Sequence, residues 1–131
     1  MLKKSPEKAD GYNYLGRAYY VQGRSGEAIR KYLTALKLKP NYLDAHYNLG
    51  NAYAAQGQLD KAIEEYRILL RLNPNLAEAY NSIGNIYFNQ GWFDKAIDEY
   101  LTAIRLVPDY ADAHYNLGLI YHKQGLMRKE R

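Results

Sequence analysis

Amide and aromatic side chains dominate the residues of this chain that could do chemistry. Asn13, Asn48, Asn51, Asn81, Asn85, Asn89 and Asn116 recur at related spacings, with Tyr47, Tyr115 and Phe88 among them. An asparagine offers a donor pair and an acceptor, which matches the alternating C=O and N–H of an extended peptide without demanding particular side chains. Tyrosine beside it adds rigid contact area. Reactive chemistry finds much less support. The chain has no cysteine, so thiolate nucleophiles, thiolate metal sites and disulfides are excluded. It also lacks a phosphate loop, a nucleophile elbow and a zinc-protease helix motif. Glu64, Glu65, Asp98 and Glu99 recur at outward helix positions, which reads as a solvated convex face and not as a paired acid and base.

The elements that must carry these residues are set by a period. Pro6, Pro40, Pro74 and Pro108 are each 34 residues apart, and the residues between them recur in register. Such an interval marks stacked helical hairpins. Three complete units (9–42, 43–76, 77–110) and a partial fourth (111–131) result, with positions counted from the first residue of each, Ala9, Leu43, Ala77 or Ala111. Position four is Tyr12, His46, Tyr80 and His114; seven is Leu15, Leu49, Ile83 and Leu117; eight is Gly16, Gly50, Gly84 and Gly118; eleven is Tyr19, Tyr53, Tyr87 and Tyr121. Steps of three and four make one face of a first helix. Ala28, Ala62 and Ala96, then Tyr32, Tyr66 and Tyr100, then Ala35, Leu69 and Ala103 make the buried stripe of a second. Gly23, Gly57, Gly91 and Gly125 are expected to separate the two helices, and each proline to close the second. Asp60 and Asp94 are placed to cap second helices, where the first unit has Gly26. His46 and His114 lie two units apart, with helices about 8–10 Å wide between them, too far to share one metal ion.

This pattern of aromatic, Leu-Gly, Tyr, Ala, aromatic, Ala and Pro resembles the tetratricopeptide repeat over nearly the whole chain. The expected fold is therefore all-α, a right-handed α-solenoid of antiparallel helix hairpins with about seven helices, forming a single domain over 1–131. Positions two, five, six, nine, twelve and thirteen of the first helix form a second stripe roughly 150° around from the core stripe. In the family that stripe lines a concave groove, so the resemblance implies that Asn13, Arg17, Tyr47, Asn48, Asn51, Asn81, Asn85, Phe88, Asn89, Tyr115, Asn116, Leu119, His122 and Lys123 face it. The arrangement looks like the asparagine ladders of O-linked N-acetylglucosamine transferases and nuclear import receptors, although asparagine at these positions also comes with ordinary repeat ancestry. Members that grip a terminal carboxylate use Lys at position five; here that position is Asn13, Tyr47, Asn81 and Tyr115, which disfavours such a ligand. Asp10, Asp44, Glu78 and Asp112 at position two form an acidic edge or simply favour the positive start of each helix. The implied function is a non-catalytic scaffold or adaptor that binds a protein or peptide segment and needs no cofactor or metal.

Charge and the chain ends complete the reading. The net charge of +4 is uneven, with nine basic and three acidic residues in 1–42, five and nine in 43–110, and four and two in 111–131. Arg30 and Lys31 become Glu64 and Glu65, then Asp98 and Glu99, so no basic stripe runs along the repeats and nucleic acid is disfavoured. No apolar run approaches the roughly 20 residues of a membrane span, and cytoplasmic location is the default expectation. Residues 1–8 read as the end of a preceding helix, and 126–131 as the start of an unfinished second helix. Leu119 and Ile120 at that end suggest an alternative function, self-association of copies or membership of a longer array attached to another domain.

Overall fold

A computed structural model describes the chain from residue 6 to residue 129, with side chains described from 8 to 125. Among these residues it is all-α, with seven helices and no strand: α1 (Pro6–Val21), α2 (Ser25–Leu38), α3 (Leu43–Ala55), α4 (Leu59–Leu72), α5 (Ala77–Gln90), α6 (Phe93–Leu106) and α7 (Ala111–Lys129). They fall into two compact units, Met1–Pro74 with α1 to α4 and Asn75–Arg131 with α5 to α7.

The hairpin turns are the same three times. Gly23, Gly57 and Gly91 have φ of 78°, 77° and 82°, a left-handed conformation that residues with a Cβ rarely adopt. The next N–H then reaches back to the carbonyl of the position-eleven tyrosine: Arg24 to Tyr19, Gln58 to Tyr53 and Trp92 to Tyr87, each at 2.9 Å. This six-to-one bond closes a Schellman turn and sends the second helix back along the first. At the other end α2, α4 and α6 stop at Leu38, Leu72 and Leu106, two residues before the prolines, and the intervening residue has left helical geometry in each case, with extended backbone at Asn73 and Val107.

Two of the second helices, α2 and α6, are packed on both sides. Within the first unit Tyr32 of α2 lies against Gly16 of α1 and in one buried cluster with Leu49 and Ala52 of α3. Within the second unit Tyr100 of α6 lies against Gly84 of α5 and clusters with Ala113, Leu117 and Ile120 of α7. The first helix α3, with a second helix on either side, therefore has two buried stripes. Positions four, eight and eleven meet its own second helix, and positions three, seven and ten meet the preceding one; the latter stripe was incompletely visible in the sequence. A Cβ on Gly50 or Gly84 would stand 2.6 or 2.7 Å from a carbon of the Tyr66 or Tyr100 ring. The glycine thus makes room for a tyrosine ring, a closer account than simple backbone approach.

Five expectations need correction. Gly125 does not break a helix, because α7 runs unbroken to Lys129; Leu-Met-Arg-Lys are all good helix formers, and among the described residues no second helix packs back to hold a turn there. Pro6 opens α1, where a missing N–H costs nothing, so residues 6–8 belong to the first hairpin; residues 1–5, read as part of a preceding helix, and 130–131 lie outside the described residues. Asp60 and Asp94 do not cap. The caps of α4 and α6 are Gln58 and Trp92, with no side-chain cap bond, and the two aspartates sit in the first turn, where they favour the positive helix end by about 0.3–1 kcal/mol. Leu15, at a core position, is 48% exposed because no preceding second helix covers it among the described residues. Ile120 is fully buried against α6, so it cannot form an open adhesive end.

Candidate functional site

In the first unit the predicted stripe is partly consumed by the fold. Asn13 is only 4% exposed: its Nδ2 donates to the Tyr42 hydroxyl at 3.4 Å, and its Oδ1 accepts from Asn48 Nδ2 at 3.0 Å. Tyr42 in turn donates to the Asp10 carboxylate at 2.6 Å. Burial and that carboxylate push the Tyr42 phenol up to about 12, so it stays a neutral donor at any working pH. Asn13 is a strut between α1 and α3, not a free ligand group, and Asp10 is engaged in the same brace. Arg17 is exposed, and Tyr47 and Asn48 are half-buried.

Asn51 and Asn85, both at position nine, show the most informative geometry. The Tyr66 hydroxyl donates to Asn51 Oδ1, and the Tyr100 hydroxyl donates to Asn85 Oδ1 at 2.7 Å. Asn116 Nδ2 also donates to Asn85 Oδ1 at 3.0 Å. With each Oδ1 accepting from a tyrosine hydroxyl, the Nδ2 of each asparagine points the other way as an N–H pair. Burial pushes the Tyr100 phenol up to about 12, which keeps it a donor. The sequence placed Tyr66 and Tyr100 in the core; it missed that their hydroxyls aim the position-nine amides. Pairing position nine with the tyrosine fifteen residues on, in the same hairpin, is the signal that could have found them.

Elsewhere in the second unit Phe88 packs edge-on against Phe93 at 5.9 Å between centroids, and Lys123 Nζ lies 5.6 and 5.9 Å from the two rings. Asn89, Tyr115, His122 and Lys123 are exposed, and Asn116 and Leu119 are half-buried. Asn81 is buried with no partner for its Oδ1, so position five lies inside the fold here as it does at Asn13. Open clefts of about 640 and 550 Å³ lie beside α2 and involve none of the predicted residues.

The position-four histidines are structural. His46 Nε2 meets the Pro40 carbonyl at 2.8 Å and its Nδ1 meets Glu65 Oε1 at 2.7 Å; His114 Nε2 meets the Pro108 carbonyl at 2.7 Å. Glu65 is therefore not part of a solvated convex face. Both ring nitrogens of His46 face acceptors, a demand that only the imidazolium satisfies. The hydrogen bond to Glu65 raises its pKa above the ordinary 6.5, against burial and with help from Pro40. For a raised pKa the added stability is fully present below 6.5 and is lost as pH rises through the folded value. His46→Gln is therefore expected to lower the melting temperature more at about pH 5.5 than at about pH 9. An equal loss at both would contradict the charged pair.

A family model described as TPR repeat matches residues 16–57, 50–91 and 84–125. No curated protein is similar enough to count as a match. Among solved structures, the chain is similar to MamA at 30% identity, covering 92% of this chain and 71% of that one with a TM-score of 0.82. It is similar to the first TPR domain of human RPAP3 at 25% identity, covering 96% and 98% with a TM-score of 0.84. The first TPR of Spaghetti (RPAP3), solved with the HSP90 peptide SRMEEVD, shares the fold at 23% identity, covering 92% and 96% with a TM-score of 0.84. No helix among the described residues is long and apolar enough to cross a membrane.

Proposed function

Because the chain belongs to the tetratricopeptide-repeat family, we propose that it is a non-catalytic protein-interaction module whose first helices hold an extended segment of another protein. The observation that carries this reading is the pair of asparagines, Asn51 and Asn85, whose acceptor oxygens are occupied by tyrosine hydroxyls and whose N–H pairs are thereby aimed. An aimed amide donor recognises a backbone carbonyl irrespective of side chain. Because its orientation is fixed before binding, little freedom is lost on association. Tyr47, packed at 5.8 Å from the Tyr66 ring, stands beside the first donor, and Phe88 and Asn116 stand in the unit that carries the second.

The same stripe argues for an internal segment over a chain terminus. The solved relative bound to an HSP90 peptide has a ligand that ends in aspartate. In this chain position five supplies Asn13, Tyr47, Asn81 and Tyr115, with no cation to meet a terminal carboxylate, and Asn13 and Asn81 are buried.

The test uses peptides selected from a random library against the intact chain. Asn51→Ala with Asn85→Ala is expected to weaken a selected peptide by more than tenfold, about 1.4 kcal/mol, while leaving helicity unchanged. Undiminished affinity in the double variant would place the site elsewhere.

A further inference from the structure

The cleft of about 640 Å³ between the α1–α2 turn and the end of α3 contains none of the asparagine stripe, and its lining departs from the repeat in one direction. Position eighteen is Gly26, where the later second helices carry Asp60 and Asp94. Position twenty-two is Arg30, where they carry Glu64 and Asp98. Gly26 and Arg30 are four residues apart on one side of α2, and both line the cleft. Two carboxylates have gone and a guanidinium has come. Position nineteen runs the other way, with Glu27 for Lys61 and Lys95, but its carboxylate is held by Arg24 at 2.7 and 2.9 Å. Those two charges cancel. Arg30 is exposed and forms no ion pair among the described residues, so the cleft keeps its positive charge.

The opposite wall comes from the residue that follows α3. With Gln56 Oε1 accepting from Gln58 Nε2 at 2.8 Å, the Gln56 Nε2 stands on the side of Gly26, 3.4 Å from where a Cβ there would be. An aspartate at 26, the residue of the later repeats, would put its carboxylate in that space. Glycine leaves the space open.

The donors decide the ligand. Arg30 presents a fork that takes two oxygens, and the Gln56 amide adds an N–H pair from a different part of the chain. A carboxylate has only two oxygens, and the fork takes both. A phosphate monoester has three, with up to two negative charges. We infer that this cleft binds a phosphate monoester, with Arg30 and Gln56 as donors and Gly26 as the gap that admits it. The site is separate from the peptide stripe.

Two probes are titrated into the intact chain at about pH 7.5, where a monoester is mostly a dianion. They are the end-capped tripeptide Ala-phosphoserine-Ala and inorganic phosphate, with end-capped Ala-Glu-Ala as the control. The Gln56 Nε2 protons and the Gly26 amide report binding in a nitrogen–proton correlation spectrum. Saturable shifts are expected with both phosphates, and binding at least fivefold weaker with Ala-Glu-Ala. Either order of the two phosphates upholds the site: a tighter phosphopeptide assigns it to a modified side chain of a partner, tighter inorganic phosphate to a free ligand. Gly26→Asp and Arg30→Glu are each expected to weaken phosphate binding more than tenfold. Each restores a residue that another second helix carries at that position, so melting temperatures should hold, and the Ala-Glu-Ala comparison needs no variant to fold. Ala-Glu-Ala binding as tightly as the phosphopeptide would overturn the proposal. So would phosphate binding that survives both variants, or no saturation up to about 10 mM.

Discussion

Truncating Tyr100 to alanine is expected to lower stability by about 3–5 kcal/mol, the range for removing a buried aromatic ring. The ring is fully buried, fills the space beside Gly84 and joins α5 to α7 through α6. No smaller side chain can hold both neighbours. Tyr100→Phe keeps the ring and loses the bond to Asn85, whose Oδ1 still accepts from Asn116, so the expected cost is only about 0.5–1.5 kcal/mol. Urea denaturation of the two variants separates packing from hydrogen bonding. If the phenylalanine variant were as damaged as the alanine one, the ring would not be the element that binds the second unit together.

Gly84→Ala and Gly118→Ala are expected to differ in stability, only the second gaining, although both put alanine at position eight of a helix. The new Cβ at 84 would stand 2.7 Å from a Tyr100 ring that has nowhere to go, whereas at 118 it meets open space. Alanine's advantage over glycine in a helix, about 1 kcal/mol, is common to both. The difference between the variants therefore isolates the overpacking penalty, about 1–3 kcal/mol. Gly118→Ala should melt higher than the parent chain and Gly84→Ala no higher. Equal melting temperatures for the two variants would mean that the ring does not seat on the glycine.

The helices were legible because their signals are local. A 34-residue period, glycines at φ near 80° and prolines two residues beyond each second helix fix the hairpins without reference to anything distant. The failures lie where a distant or absent neighbour decides. Gly125 carries the same residue type as Gly91, but only a packed second helix makes the turn worthwhile, and among the described residues α7 has none. Asn13 falls on the outward stripe by angle, yet Tyr42, 29 residues away, folds over it. Helical angle gives the direction in which a side chain leaves its helix. It does not show which hydrogen bonds that side chain has already spent, so Asn13 and Asn51 looked equivalent until their partners were seen. Glu65 misled for the same reason, its carboxylate being bound to a histidine on the neighbouring helix.

The side-chain amide region of a nitrogen–proton correlation spectrum tests the proposed interaction surface most directly. With a library-selected peptide at saturation, the Nδ2 protons of Asn51 and Asn85 are expected to shift, and those of Asn41, outside the first-helix stripe, to stay in place. Saturation with the Asn51 and Asn85 signals unmoved would contradict the account.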